Sequence, residues 1–274
     1  MAQIHLHPTK RAAGLRRPAV AGMFYPGDPT ELETLVDRLL GEAGPQPGPA
    51  PKAIIAPHAG YIYSGALAAR AHARLIPARE EIERIVLMGP CHRVAVRGLA
   101  ATSAAVWETP LGRTPIARSA LDAVAGLAQV VTSDPAHAQE HSLEVHLPFL
   151  QRVLKPGFTL LPFAVGAATA AEVAEVLDAL WGGPETRIVI STDLSHFLDY
   201  ESARALDSKT AEAIERLDWP ALRREQACGR TPMSGLLEIA KRRRLAIERI
   251  GLCSSGDTAG PRDRVVGYGA WAVQ

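Results

Sequence analysis

The sequence predicts a single α/β domain with a mostly parallel central sheet flanked by helices. Several short apolar runs each end abruptly at a turn of Pro, Gly or Ser, which is typical of buried strands in such a sheet. Helical segments separate these runs, so the chain repeats the order strand, helix, strand, which implies right-handed crossovers. The 274 residues are enough for one large domain of this class.

Composition narrows the classes of function. Hydrophobic residues make up 47% of the chain and the net charge is +1, so neither nucleic acid nor an anionic membrane is an expected partner. No apolar run reaches the roughly 18 residues of a membrane span, and the polar N-terminus lacks the apolar region of a secretory signal. These features predict a cytoplasmic location. The three cysteines, an odd number, argue against a disulfide framework.

The chain is expected to begin with a disordered arm over residues 1–16, followed by the domain over residues 17–274. The first helix follows Asp28, because aspartate can cap a helix and Pro29 suits the first turn. A loop rich in Pro and Gly comes next, over residues 41–51.

Apolar runs and helical patterns predict the remaining elements. The predicted strands cover residues 53–56, 84–88, 98–106, 130–131, 158–165, 187–192, 247–252 and 264–273. The predicted helices cover residues 64–75, 118–127, 170–181, 209–217, 219–227 and 233–242. Residues 107–112 contain Pro and Gly and are predicted to form a turn.

Three of the predicted strands are each followed by a histidine. The sequences AIIAPH, RIVLMGPCH and RIVISTDLSH place His58, His92 and His196 just past a strand end. The carboxyl ends of parallel strands lie at one edge of a sheet, where ligands bind in open α/β folds. The three imidazoles are therefore expected to converge at one site.

A fourth stretch, AQEHSLEVHLPFL, brings Glu140, His141, Glu144 and His146 into seven residues. A zinc pair on a helix needs two histidines four residues apart, whereas these are five apart and about 140° around the helix. His141 and Glu144 do share a helical face, so either side chain can face the pocket. His146 is expected to pack elsewhere.

Cys228 lies at a tight turn before a predicted helix. If its thiol faces the histidines, the result is a site of two histidines and one thiolate, which suits zinc, copper or ferrous iron but not magnesium or calcium. The alternative is a buried cysteine without chemistry, which is the expectation for Cys253.

The sequence resembles the Memo family, whose bacterial and archaeal members are called AmmeMemoRadiSam system protein B, over nearly all of residues 17–274. Six stretches carry the resemblance: AVAGMFY (19–25), IAPHAGY (55–61), GPCH (89–92), EHSLEVHLP (140–148), STDLSH (191–196) and CGR (228–230).

The resemblance implies a fold similar to that of the class III extradiol dioxygenases, non-haem iron enzymes that cleave catechol rings with O₂. By the family pattern His58 and His92 would be metal ligands, and Cys228 would replace the carboxylate ligand of those enzymes. His196 would take the place of their acid/base histidine. Asp193 would orient His196 or its loop, although a helix cap is an equally simple role. The implied metal is Fe(II) or copper, with zinc as an alternative.

Two hypotheses about function follow. The first is a metal-dependent oxidoreductase of dioxygenase type, acting on a small molecule or a protein alongside a radical SAM protein and an AMMECR-type protein, as the names in the bacterial system suggest. The second is a binding module that uses the same pocket for a peptide or an anion, with Arg93 or Arg230 nearby. The residues expected around the pocket are Phe24, Tyr25, Tyr61, Cys91, His141, Glu144 and Arg230.

A structural zinc site is a third hypothesis, and the number of ligands argues against it. Such sites usually have four protein ligands, and the sequence offers only three.

Overall fold

The secondary structure alternates between strands and helices along most of the chain. The computed structural model describes residues 14–45 and 48–274. The strands of this part are β1 (Leu15–Arg16), β2 (Ala53–Ala56), β3 (Arg84–Pro90), β4 (Leu99–Ala101), β5 (Val106–Thr109), β6 (Gly112–Pro115), β7 (Val130–Thr132), β8 (Thr159–Val165), β9 (Thr186–Ser191), β10 (His196–Leu198), β11 (Ile247–Ser254) and β12 (Val265–Val273). The helices are α1 (Pro29–Ala43), α2 (Tyr61–Ala73), α3 (Arg118–Val124), α4 (Asp134–Ala138), α5 (His141–Glu144), α6 (Leu147–Val153), α7 (Ala170–Ala179), α8 (Tyr200–Glu215) and α9 (Arg230–Arg243).

A nine-stranded sheet forms the centre of the fold. Its strand order is β10-β12-β2-β9-β3-β8-β4-β7, and β11 pairs with β12 as well. The four strands β2, β9, β3 and β8 are parallel to one another, and their side chains are almost all buried. The predicted α/β domain with helices flanking a sheet is therefore confirmed.

Parallel pairing is confined to part of this sheet. The β12 strand runs antiparallel to β2, β10 and β11, and β4 runs antiparallel to β8. The sheet is therefore mixed, with four parallel strands at its centre and an antiparallel pair on either side of them.

The turn predicted over residues 107–112 is wrong. The segment forms a hairpin, in which β5 pairs with β6 and only two residues make the turn, while β1 pairs with β5 on the other side. Trp107 is completely buried in this small sheet. An aromatic, half-buried strand was hidden in the sequence by the nearby Pro110 and Gly112, which are turn formers.

The helices predicted over residues 209–217 and 219–227 are also corrected. The first is the second half of α8, which begins at Tyr200, where the Asp199 side chain accepts a hydrogen bond from the Ser202 amide. The second consists of two short 3₁₀ turns, Trp219–Ala221 and Arg224–Gln226.

Leu15 and Arg16, at the end of the predicted arm, belong to a strand of the fold. Residues 1–13 of the predicted arm lie outside the described residues, but Leu15 and Arg16 pair with β5. Arg16 is buried because its guanidinium forms an ion pair with Glu144 at 2.6 Å and stacks on Trp107. Leu15 and Arg16 therefore pack with the domain in the described part of the chain.

The first helix follows the predicted pattern. Asp28 caps α1 by accepting hydrogen bonds from the amides of Thr30 and Glu31. The buried face of α1, which includes Leu32 and Val36, packs with α2 and α6 in a hydrophobic core separate from the one around the sheet. None of the helices in the described part of the chain is long and apolar enough to cross a membrane.

Candidate metal centre

The carboxyl ends of β2, β3 and β9 bring three predicted site residues together. His58 follows β2 and His92 follows β3. Cys228 lies two residues before α9, and the amide of the intervening Gly229 bonds to Thr192, which directly follows β9. The potential ligand atoms of these three residues all lie within 4.8 Å of one another. The Sγ atom of Cys228 is 3.4 Å from Nε2 of His58.

Backbone contacts fix Cys228 beside the end of β9. The amide of Cys228 donates to the carbonyl oxygen of Asp193 at 3.2 Å, and the amide of Asp193 donates to the Cys228 sulfur at 3.3 Å. The amide of Gly229 donates to Oγ1 of Thr192 at 2.9 Å. A Cβ atom on residue 229 would lie 2.3 Å from the carbonyl oxygen of Ser191, so glycine permits this close approach.

The hydrogen bonds of His58 determine which ring nitrogen faces Cys228. Its Nδ1 lies 2.6 Å from Oγ of Ser191, and that hydroxyl donates to the carbonyl oxygen of Ser142 at 2.6 Å. Because the only hydrogen of the Ser191 hydroxyl is donated to Ser142, the hydroxyl oxygen must accept a hydrogen bond from Nδ1–H of His58. The hydrogen-bond network thus assigns the Nδ1–H tautomer to His58. The Nε2 lone pair of His58 then faces Cys228, as a metal ligand requires.

Glu140 holds His92 in the corresponding way. Oε1 of Glu140 lies 2.9 Å from Nδ1 of His92, and Oε2 accepts from the His92 amide at 2.5 Å. Burial alone would raise the pKa of Glu140, but hydrogen bonds from His92 and Ser142 outweigh it and lower the pKa to about 2. The carboxylate is therefore ionised, and the sequence had not indicated it as a site residue.

His141 lies beside both of these histidines. Its ring centroid is 4.8 Å from that of His92, 5.3 Å from that of His58 and 4.7 Å from that of Phe24. Burial lowers the pKa of His141 to about 4, so the ring is neutral. His92, Glu140 and His141 form a second group of potential ligand atoms within 4.8 Å of one another.

Asp193 supports His58 rather than His196. Its Oδ1 accepts from the His58 amide at 2.8 Å, and its Oδ2 lies 3.8 Å from Nε2 of that residue. Burial raises the pKa of Asp193 to about 7, although the hydrogen bond from His58 opposes the shift. The prediction that Asp193 orients the His196 side chain is therefore corrected. His196 is instead held by its own turn, with Nδ1 2.7 Å from the carbonyl oxygen of Leu194.

Two cavities open at the centre. The larger, about 850 Å³, is lined by residues that include Cys91, His92, Arg224, Cys228 and Arg230. The smaller, about 320 Å³, is lined by residues that include Phe24, Tyr63, His141, Asp193 and Arg264. His196 lines both cavities and therefore stands at their junction.

Three residues expected around the pocket lie behind it instead. Tyr25 and Tyr61 are buried in the core formed by α1, α2 and α6, and the Tyr61 hydroxyl donates to the carbonyl oxygen of Val145. Glu144 is completely buried and accepts hydrogen bonds from Arg16, from the Tyr25 hydroxyl and from two backbone amides. Glu144 thus ties the N-terminal segment to α5.

Cys91 was expected at the pocket, and His146 was expected to pack elsewhere. The Cys91 thiol donates to the carbonyl oxygen of Val94 at 3.1 Å, and Cys91 belongs to neither group of potential ligands among the described residues. His146 packs away from the cavities, with Nδ1 3.4 Å from Nε2 of His72.

The supporting residues Glu140 and Ser191 were missed at the level of sequence. Glu140 precedes His141 in a segment already notable for its histidines, and metal-binding histidines generally donate their second nitrogen to a carboxylate or carbonyl. That rule could have suggested Glu140. No comparable signal distinguished Ser191.

The donor set and its surroundings fit a metal ion. Two imidazoles with fixed tautomers and one thiol face one another at the end of the sheet. Burial raises the pKa of the Cys228 thiol to about 12, so the thiol is protonated unless a cation displaces the proton.

Comparisons with known proteins agree over nearly the whole chain. A family model described as "Memo-like protein" matches residues 16–272. The chain is 36% identical over 266 residues to a "MEMO1 family protein" of Aquifex aeolicus (strain VF5), with 93% of this chain and 97% of the relative covered. It is 35% identical over 274 residues to a protein of the same description from Methanosarcina acetivorans, with 95% and 99% covered. A relative from Nitrosopumilus maritimus is 31% identical over 273 residues, with 93% and 98% covered.

Proposed function

The chain belongs to the Memo family, and on this premise we propose that it is a metal-dependent oxidoreductase of the non-haem dioxygenase type. His58, His92 and Cys228 would hold the metal, and His196 would transfer a substrate proton. The observation that carries the proposal is the donor set, in which two imidazoles and a thiol have ligand atoms within 4.8 Å of one another.

The chemistry of these donors narrows the choice of metal. Imidazole and thiolate together suit iron, copper and zinc, whereas magnesium and calcium prefer oxygen ligands. Iron or copper would supply electron transfer between an organic substrate and O₂. Cys228 would lose its proton on binding, because the thiolate is the form that binds metals.

His196 is the group proposed to move a proton. Its Nδ1 faces the carbonyl oxygen of Leu194, which can only accept a hydrogen bond, so the Nε2 atom carries the lone pair. Burial lowers the pKa of His196 and keeps the ring neutral near pH 7. A neutral imidazole at the junction of both cavities can accept a proton from a hydroxyl group of a substrate.

The larger cavity is the proposed entrance for the organic substrate. Arg224 and Arg230 line it together with one acid, Glu225, so an acidic group on the substrate would be matched by the excess positive charge. From the family resemblance we also propose that a radical SAM protein and an AMMECR-type protein act alongside this chain.

The arrangement favours a metal over an anion at the histidines themselves. His58, His92 and His196 each direct Nδ1 to an oxygen behind the ring. In the neutral rings, which are the form that binds metals, the remaining nitrogens carry lone pairs, and these attract cations and hydrogen-bond donors but not anions. A binding module for a peptide or anion would depend on the arginines of the larger cavity.

The proposal is tested by measuring the metal content of anaerobically purified protein. The wild type, reconstituted with Fe(II) or copper, should hold close to one metal ion per chain. His58→Ala and Cys228→Ser should lose most of it, since each removes a ligand. Cys253→Ser is the matched control, because it removes a thiol that lies in β11 outside the group of potential ligands.

The same samples are then tested for O₂ consumption with catechols and thiols. Uptake that requires the metal supports an oxidoreductase. A wild type that binds no metal after reconstitution contradicts the proposal.

A further inference from the structure

Glu140 is a completely buried carboxylate in direct contact with His92. Its two oxygens receive hydrogen bonds from the ring and the amide of His92, and Oε1 also accepts from the Ser142 amide at 3.0 Å. Nδ1 of His141 lies 3.3 Å from the same Oε1. One carboxylate therefore faces two imidazoles of the centre from behind.

The position of the hydrogen between Glu140 and His92 follows from which groups can donate one. An ionised carboxylate can only accept hydrogen bonds, so the hydrogen between Glu140 and His92 belongs to Nδ1 of the imidazole. A neutral imidazole carries one N–H, and Nε2 of His92 is then left as a free lone pair. Without the carboxylate, the ring could take either tautomer and could turn about its side-chain bonds.

A purely structural role for Glu140 is the competing explanation. Glu140 is the N-cap residue of α5 and satisfies the Ser142 amide, as an ordinary cap does. Two of its three hydrogen bonds, however, go to His92, which is 48 positions away in the sequence. A cap for a four-residue helix has no need of these contacts.

We propose that Glu140 is a positioning residue for metal binding, which fixes the ring of His92 so that Nε2 faces the metal. The inference rests on the proposed metal site. It adds a residue that contacts no metal and whose removal weakens binding through His92.

The experiment compares Glu140→Gln with Glu144→Gln. Glutamine keeps the shape of either side chain but replaces one carboxylate oxygen with an NH₂ group, which donates hydrogen bonds. In Glu140→Gln this NH₂ must face either the ring or the backbone amide of His92, and that group then has no acceptor. Glu144 is the matched control, because it is equally buried and heavily hydrogen-bonded, yet its partners are Arg16, Tyr25 and the backbone of the N-terminal segment.

Zn(II) is the probe, since it does not oxidise the thiol, and its apparent Kd is measured by competition with a chelator. Glu140→Gln should weaken zinc binding by about 10–100-fold, the usual effect of losing such a partner. Glu144→Gln should lower the melting temperature while its zinc affinity stays within about threefold of the wild type. Equal affinities of Glu140→Gln and the wild type, or an equal loss in both variants, would overturn the proposal.

A second measurement needs neither a variant nor a metal. Imidazole ¹⁵N shifts of the metal-free wild type, recorded at a pH high enough for the ring to be neutral, should show His92 as the Nδ1–H tautomer. The Nε2–H tautomer would overturn the positioning role even if zinc binds. Failure of the wild type to bind zinc, with His92 in the Nδ1–H form, would instead count against the metal site and leave the contact with Glu140 intact.

Discussion

His196 stands at the junction of two cavities, and its ring is held through Nδ1, which lies 2.7 Å from the carbonyl oxygen of Leu194. Replacing it with glutamine should lower turnover by about 10²–10⁴-fold, the range for the loss of a general acid or base. The metal content should not change, because His196 is not in the group of potential ligands with His58 and Cys228. Turnover and metal content are measured on the same preparation.

Two results would count against this role. Unchanged turnover in His196→Gln would assign the proton transfer to another group. Loss of metal together with turnover would make His196 a ligand.

At the scale of elements, the position of Cys228 depends on the contact between the end of β9 and the start of α9. Gly229→Ala would place a Cβ atom 2.3 Å from the carbonyl oxygen of Ser191, so the start of α9 must move and Cys228 with it. We expect a loss of about 1–3 kcal/mol in the free energy of unfolding, as for other overpacked sites. Metal affinity should fall as well.

Gly235→Ala provides the control for this prediction. Its Cβ would lie 2.4 Å from Cγ1 of Val173, which is on α7, so the clash is of similar severity but lies between two helices. This variant should lose stability and keep its metal affinity. Chemical denaturation and chelator competition measure the two quantities. Equal losses of metal affinity in both variants would show that affinity does not depend on the contact between β9 and α9 in particular.

The elements that the sequence predicted well are those whose burial is continuous. Strands such as β2 and β9 are apolar along their whole length, so the sequence pattern and the folded environment agree. The β5–β6 hairpin and β10 were missed because their burial is partial and turn residues lie nearby. Tertiary packing, rather than local preference, makes these segments extended.

Some residues of the candidate site could be placed from the sequence and others could not. His58 and His92 were expected together because parallel strands end at one edge, which is a rule about topology. Tyr25 and Glu144 were misplaced because adjacency in sequence says nothing about which face of a segment turns inward. The role of Glu140 depends on a contact with β3 across 48 positions, which no local pattern encodes.

At the scale of the whole molecule, buried histidines should make stability depend on pH. Burial lowers the pKa of six histidines, which are His58, His72, His137, His141, His146 and His196. Below about pH 6.5 the unfolded chain takes up protons at these positions while the folded chain does not, so stability is lost as the pH falls towards 4. Two carboxyls act in the opposite sense, because burial raises the pKa of Asp193 to about 7 and that of Asp207 to about 6.

The histidines outnumber these carboxyls, so the net effect should be destabilisation by acid. If the unfolded chain binds two more protons than the folded chain, the free energy of unfolding falls by about 3 kcal/mol per pH unit. This corresponds to a decrease in Tm of roughly 5–10 °C for a chain of this size. Calorimetry of the metal-free protein at pH 7.5, 6.5 and 5.5 tests this. A Tm that stays constant or rises on acidification would show that the carboxyls dominate.

The pairing of β2 with β12 has a consequence for how the chain reaches its native state. Ala53 lies opposite Val273, so the central strand that carries His58 acquires this neighbour only by closing a loop of more than 200 residues. Contacts between such distant segments form slowly, because the entropy of loop closure is lost before any contact compensates for it. Until then β2 has a bare apolar edge that another molecule can occupy. Refolding should therefore be slow, and its yield should fall as the protein concentration rises.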